Sequence, residues 1–380
     1  MSIQSVRLGL YLGRVHPTPA PAQITKAVEQ VTVQQDGSGA QGFALTLRAG
    51  RSWSGQPDYA LLHEPQLQPG NRLILTVTLN AVPSVLMDGV ISHVQLSPAQ
   101  GNQAATLTIT GEDISRLLDL VDVNLSLPLP NSTAVVNFIL AKYLPLGIIP
   151  TVIPPLKDFT VSPTERIFFQ EGTDREYLQK LAGENGYIFA IRPGPLPGSS
   201  RAYWGPLVKI GLPQKALTID MGHSSNVQTI NLAYDALRPQ QVYGLVAKEE
   251  TAVPVPIVSL TNINPPPLAR HSPFLVNQPY IKKERLKFKG DSAVAAYLEA
   301  QGRVDASAES VVSATGSLNA LQYGAVLYAP GIVGLRGAGS AHDGFYYVNS
   351  VTHTISKGQY QQDFVLGREG LGTLVNRINP

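Results

Sequence analysis

Between residues 28 and 118 apolar and polar positions alternate in short runs, the pattern of half-buried strands. Val31-Thr-Val33, Gly42-Phe-Ala-Leu-Thr-Leu47, Arg72-Leu-Ile-Leu-Thr-Val-Thr-Leu79, Asp88-Gly-Val-Ile-Ser-His-Val94 and Ala105-Thr-Leu-Thr-Ile-Thr110 are rich in β-branched residues and predict an antiparallel sheet. Gly70 and Gly101 are expected at its turns, and the spacing predicts a barrel or sandwich. After Asp113 the period changes. Ser132 to Leu144 predicts a helix with Ser132 as N-cap, Val135, Val136, Ile139, Leu140 and Tyr143 at helical spacing, and Pro145 as its stop. Thr173-Asp-Arg-Glu176 predicts a second helix opened by a capping box, in which threonine oxygen and glutamate carboxylate satisfy each other's backbone amides. Its apolar face is Tyr177, Leu178, Leu181 and Ala182, with Gly186 as the left-handed C-terminal residue, and Tyr187 to Ile191 predicts a strand. From Leu217 strand signals return, until Pro254, Pro256 and Pro265 to Pro267 predict an extended excursion over Thr251 to Pro273. Asp291 to Gln301 reads as an Ala-rich helix that stops at Gly302. Ser310 to Ala314, Ala325 to Tyr328, Gly344 to Ser356 and Tyr360 to Leu366 predict strands, with Lys357-Gly358 as a hairpin turn.

These signals divide the chain into an N-terminal extension (1–27), a first β-barrel (28–118) and an inserted α+β domain (119–215). The latter includes the Pro/Gly/Ser linker Pro193 to Ser200. A second β-barrel (216–250 and 308–370) follows, interrupted by a Pro-rich inserted segment with a helix (251–307), and then a C-terminal tail (371–380). The predicted class is mainly β with α+β insertions.

Composition agrees with strands and turns rather than long surface helices: Gly and Pro supply 34 and 30 of 380 residues, and charged residues only 15%. A net charge of +2 without a basic run argues against nucleic-acid binding. Zero cysteines remove disulfides, thiolate catalysis and Cys-ligated metals. The apolar stretch Leu8 to Leu12 is too short for a secretory signal. Leu144 to Leu156, broken by four prolines, falls short of the ~20 residues of a spanning helix, so no stable membrane insertion is expected. The low charge predicts either surface buried in an assembly or a neutral polar surface.

The two β-rich parts repeat one another. Gly70, Asp88-Gly89 and Gly111-Glu112 mark the first, and Gly324, Asp343-Gly344 and Gly367-Arg-Glu369 the second, at intervals of about 20 residues in both. Leu107-Thr-Ile-Thr-Gly-Glu-Asp113, Phe169-Gln-Glu-Gly-Thr-Asp174 followed by Tyr177-Leu178 and Leu181-Ala-Gly-Glu-Asn-Gly-Tyr187, and Gly344-Phe-Tyr-Tyr-Val-Asn-Ser-Val-Thr-His353 occur in that order. Over roughly residues 28–370 the chain thereby resembles the phage late control protein D family. These are the baseplate hubs of contractile tails and injection systems, similar to the N-terminal part of VgrG-type spikes. Gly172 stands where that pattern usually has serine, a departure expected to loosen the turn. The chain is also expected to be the hub alone, without the spike's needle.

The resemblance implies a homotrimer of doubled β-barrels that adapts a hexameric inner tube to a trimeric spike. Its partners would be itself, a spike protein, inner-tube or tube-initiator proteins and baseplate wedge proteins. It implies a location in the cytoplasm of the producing bacterium during assembly and then in the particle. The alternatives are a β-rich binding or adhesin module and a hydrolytic enzyme.

No catalytic, cofactor-binding or metal residue is assigned, and no cofactor. His16, His63, His93, His223, His271, His342 and His353 lack any metal-ligand spacing. Gly334 to Gly339 lacks the Gly-Lys-Ser/Thr ending of a phosphate loop and reads as a hairpin loop. Asp174, Glu176 and Glu184 are explained by capping and solvation. Phe345-Tyr-Tyr347 reads as core, with one face available to a neighbour.

Overall fold

The computed structural model describes residues 6–37, 39, 41–50, 58–100, 104–155, 168–206, 211–247, 254–263, 267–277, 280–287 and 293–375. The fold is predominantly β, and the chain divides into two compact units. Met1–Val208, Gly324–Val326 and Thr352–Gln362 form the first; Lys209–Tyr323, Leu327–Val351 and Asp363–Pro380 form the second.

In the first unit β1 (Val6–Gly13) and β2 (Thr18–Pro19) precede a short helix, α1 (Ala22–Ala27). The alternating segments then give β3 (Val28–Asp36), β4 (Gly42–Arg48), β5 (Arg72–Leu79), β6 (Val82–Ser97) and β7 (Thr106–Asp113). They pair antiparallel in the order β3–β4–β7–β6–β5–β1–β2. Their inward residues, among them Val31, Val33, Leu45, Leu47, Leu73, Leu75, Val77, Leu107 and Ile109, are buried, as the two-residue period requires. β1 runs along the whole of β5, from Val6 opposite Leu79 to Gly13 opposite Arg72. The closed barrels expected from the sequence are not present: among the described residues no pairing joins the two ends of this series. Alternation reports which face of a strand is buried, whereas closure depends on tilt and stagger between strands. Register shifts at Leu75/Thr76 and Ile91/His93 nonetheless bend β6, as bulges do.

Of the repeat's glycines, only Gly70 and Gly324 are turns, at φ 88° and 77°. Gly89 and Gly111 lie within β6 and β7 beneath the Phe43 ring, and Gly101 falls outside the described residues. A Cβ on Gly111 would stand 2.1 Å from the Val90 carbonyl oxygen and 2.4 Å from Phe43 Cζ. Gly111→Val is therefore expected to destabilise the protein by about 2 kcal/mol or more. Gly183→Ala, at a helical position with nothing within 4 Å of the new methyl, is expected to be neutral or stabilising. Urea denaturation midpoints of the two variants check both.

The rest of this unit is built from β8 (Asp122–Leu127), α2 (Ser132–Ala141), β9 (Ile148–Val152), β10 (Phe168–Thr173), α3 (Asp174–Glu184), β11 (Ile188–Pro193) and β12 (Ser200–Gly205). The N-cap of α2 is Asn131, one residue before the expected Ser132: its Oδ1 accepts from the Ala134 amide at 2.9 Å. Asparagine reaches the third amide as well as serine does, so local sequence does not separate the two. The capping box of α3 is formed: Glu176 N donates to Thr173 Oγ1 at 3.2 Å, and Thr173 N donates to the Glu176 carboxylate at 3.0 Å. Helices and strands enclose one apolar core with Val135, Ile139, Leu178, Leu181 and Trp204 inside.

In the second unit β13 (Gln214–Thr218) and β14 (Thr229–Tyr234) lead to β15 (Gln240–Ala247), β16 (Pro254–Ser259), β17 (Ala269–His271), α4 (Pro273–Val276) and β18 (Lys282–Arg285). α5 (Ala293–Ala308), β19 (Val312–Asn319), α6 (Ala320–Tyr323), β20 (Gly331–Arg336), β21 (Gly344–Ser356), β22 (Gln359–Arg368) and β23 (Leu371–Thr373) complete it, the distal end of the β21–β22 hairpin excepted. α5 runs past Gly302, where a stop was expected. One glycine costs a helix about 1 kcal/mol, and the apolar face that continues through Val304 and Ala308 against β15 and β16 outweighs it. Ala325–Tyr328 is not a strand.

The strand order of the first unit recurs: β14–β19–β22–β21–β20 follows the path of β3–β4–β7–β6–β5. Only the outer neighbour differs, because β13 joins β20 in parallel where β1 joins β5 antiparallel. The marks of the repeat are also alike in role. Two residues after Gly111 and after Gly367 stands an acid that accepts backbone amides: Asp113 from Gln41 and Ser115, at 2.7 and 2.8 Å, and Glu369 from Leu268 and Ala269, the latter at 2.7 Å.

Candidate functional site

The polar groups buried in the first unit are spent on architecture. Arg72 forms a two-point ion pair with Asp88, with Nε to Oδ1 at 2.7 Å and Nη2 to Oδ2 at 2.6 Å. The side chains are only 3% and 1% exposed. Arg72 also donates to the Leu146 carbonyl at 2.8 Å, and Ser200 donates to Asp88 at 2.7 Å, so the pair ties β5 and β6 to the segments around Leu146 and Ser200. The Gln-Glu-x-x-Asp signature has a similar explanation: Asp174 accepts from Gln170 at 2.7 Å, Tyr143 at 2.6 Å and Lys142 at 2.9 Å. Burial, with the Asp174 carboxylate beside it, raises the pKa of the Tyr143 hydroxyl. Gly172 sits at φ 92°, and a Cβ there would stand 2.6 Å from the Glu176 carboxylate. The turn therefore uses the conformational freedom of glycine at this position. Asp113, whose pKa burial raises, borders a cavity of about 10 Å³, room for one water, with Arg175 and Gln179.

His353 lies on the hairpin of β21 and β22, fully buried, with Tyr360 Oη and Gln362 Nε2 at 2.9 and 3.0 Å from its Nδ1. The Gln362 amide nitrogen can only donate, so the ring nitrogen that faces it accepts and carries no proton, and burial lowers the pKa to about 3. The folded value lies below the unfolded ~6.5, so unfolded chains bind the extra proton and stability is complete only above about pH 6.5. Below it His353 is expected to cost about 1.4 kcal/mol per pH unit. A His353→Gln variant should show a shallower loss of melting temperature between pH 6.5 and 4.5.

In the second unit Arg368 is wholly buried. It donates to the carbonyls of Ala341, Asp343 and Gly370 at 2.8–3.0 Å and lies 4.5 Å over the Tyr346 ring. Tyr346 and Tyr347 are buried, so the Phe345-Tyr-Tyr347 strand serves the core. Gly337 and Gly339, at φ 91° and 86°, turn the chain from β20 into β21, whereas Gly334 to Arg336 belong to β20 rather than to the expected loop. A cleft of about 200 Å³ carries Lys215, His223, Gln322 and Arg336 on its walls and no carboxylate. It holds donors but no nucleophile paired with a base. Among the described residues no three His, Cys, Asp or Glu side chains gather to hold a metal, and no helix is long and apolar enough to cross a membrane.

What remains exposed and chemically distinctive is apolar surface. The three-stranded sheet β16–β15–β18 rests Val242, Val246 and Ile257 on α5, and its opposite face is apolar as well. Tyr243 pairs with Val258 and Leu245 with Pro256, and these are 48%, 49% and 65% exposed for Tyr243, Val258 and Leu245. In the first unit the β8–β10 ribbon exposes Phe169 on the same face as Glu171 and, farther along, Asp122. Sequence reading missed both, because Val-Tyr-Gly-Leu-Val gives the same apolar signal whether its second face is covered by its own chain or by another.

No family model matches the chain, and no curated protein does. Solved structures do. A 43 kDa tail protein of prophage MuSo2 from Shewanella oneidensis superposes with a TM-score of 0.63 at 12% identity, over 96% of this chain and 99% of that one. The E. coli c3393 protein is a component of the type VI secretion system with structural similarity to the T4 bacteriophage tail proteins gp27 and gp5. It gives 0.55 at 10%, over 93% and 78%. A Francisella PdpA–VgrG complex gives 0.60 at 6%, over all of this chain and 60% of that one. At such identities the likeness establishes the fold alone, one shared with phage tail and type VI secretion proteins.

Proposed function

We propose that this chain is the baseplate hub of a contractile phage tail or contractile injection system, a homotrimer that adapts a hexameric inner tube to a trimeric spike. The observation that carries the reading is the strand order that occurs twice, β3–β4–β7–β6–β5 and β14–β19–β22–β21–β20. Two similar units per chain make six in a trimer, the count a sixfold ring requires, while the chain itself keeps the threefold of a spike. The likeness to tail and VgrG-containing structures over nearly the whole chain supports the same reading. Within it, 28–118 and 216–250 with 308–370 are the tube-facing β units, and 119–215 and 251–307 are inserted pieces. The partners are inner-tube or tube-initiator proteins on one side, a spike protein on the other and wedge proteins around the rim. The protein performs no catalysis and binds no nucleic acid. It belongs to the cytoplasm of the producing cell until it enters the particle.

Affinity purification of tagged protein from producing cells, followed by mass spectrometry, tests this. Spike and tube proteins are expected together in the eluate; intact particles that lack this chain would contradict the proposal.

A further inference from the structure

Resting on the trimeric reading, we infer that the outward face of the β16–β15–β18 sheet docks on the β8–β10 ribbon of a second copy of this chain. The sheet face is apolar along Tyr243, Leu245 and Val258, and strand register places Lys283 and Arg285 on the same side, Arg285 directly beside Tyr243. Neither cation has a carboxylate partner among the described residues. The ribbon is the complement: Phe169 projects from the same face as Glu171 and Asp122, and neither acid has a cationic partner among the described residues. A strip that runs from an aromatic to two acids thus matches an apolar strip edged on one side by two bases. Burial removes the apolar sheet face and the Phe169 ring from water, and the unpaired charges fix the orientation.

Strand addition at the outer edge of β16 is closed off, because Pro254 and Pro256 have no N–H to donate. This leaves the apolar face, rather than the β16 edge, for the contact. Since the two surfaces differ, the contact is heterologous and passes head to tail from copy to copy, which closes into a ring under threefold rotation.

The chain's lack of cysteine gives a clean test. Full-length protein carrying Leu245→Cys and Phe169→Cys, treated with a short bismaleimide, is expected to yield covalent dimers and then trimers, with no larger species. Either single variant is expected to stay unlinked. Reversal of the bases, Lys283→Glu with Arg285→Glu, should weaken self-association at least tenfold, and adding Asp122→Lys with Glu171→Lys should restore it.

No linkage of the double variant above the single-cysteine background overturns the proposal, as does equal linkage of Leu245→Cys alone, which would mean two sheet faces meeting. Light scattering of the same samples separates the two levels. A trimer without linkage leaves the hub reading in place and removes these surfaces, whereas a closed ring of another size counts against the hub reading itself.

Discussion

Asp88→Ala is expected to lower stability by about 3–5 kcal/mol, because it strands the Arg72 guanidinium in a site where the pair is almost fully enclosed. The carbonyls of Leu146 and Gly198, at 2.8 and 3.3 Å, leave the arginine with acceptors but no counter-charge. Ser200 loses its acceptor in the same step. Asp88→Leu combined with Arg72→Met removes the charge altogether and is expected to recover most of the loss, since a well-packed apolar pair can replace a buried ion pair at little cost. Equilibrium urea unfolding of the two variants beside the parent protein measures both. A single substitution that costs less than about 1 kcal/mol would mean that the pair carries little of the link between β5, β6 and the segments behind them.

Leu181→Asp is expected to cost about 4 kcal/mol or more. Leu181 is 3% exposed in the core of α2, α3, β11 and β12, so the change removes a buried side chain and puts a carboxylate in its place. The cluster around it includes Val136, Ile139, Leu178 and Trp204, whose indole N–H is already committed to the Leu178 carbonyl at 3.2 Å. No donor stands ready for the new oxygens among those side chains. Thermal unfolding should show an early transition in the first unit, or the variant should fail to accumulate as soluble protein. Soluble protein with the parent melting temperature would contradict the packing of this core.

Much of this was legible in the sequence where one local rule decides the outcome. The capping box at Thr173 and Glu176 needs only two residues three apart, and alternation with β-branched residues marked β3 to β7. What escaped depends on residues far apart in sequence. Asp88 reads as the start of a strand and Gly111 as a mark of the repeat, yet one is half of a buried ion pair and the other yields to the Phe43 ring across the sheet. Residues 6–13, whose apolar run is short and isolated, gave no hint that their register along β5 fills a place in the sheet. Gly302 looked like a helix stop because nothing nearby shows that Val304 and Ala308 meet β15 and β16. The candidate interaction surfaces were hidden for a related reason: apolar residues on both faces of β15 predict burial without saying by whom.

The central claim is that one chain carries two similar β units so that three chains can meet a sixfold tube. A reconstruction of the intact particle by electron microscopy measures this directly through the number of copies at the end of the inner tube. The account predicts three, with β3–β4–β7–β6–β5 and β14–β19–β22–β21–β20 alternating around the ring as six comparable faces. One copy, or six copies that present only one kind of unit to the tube, would contradict it.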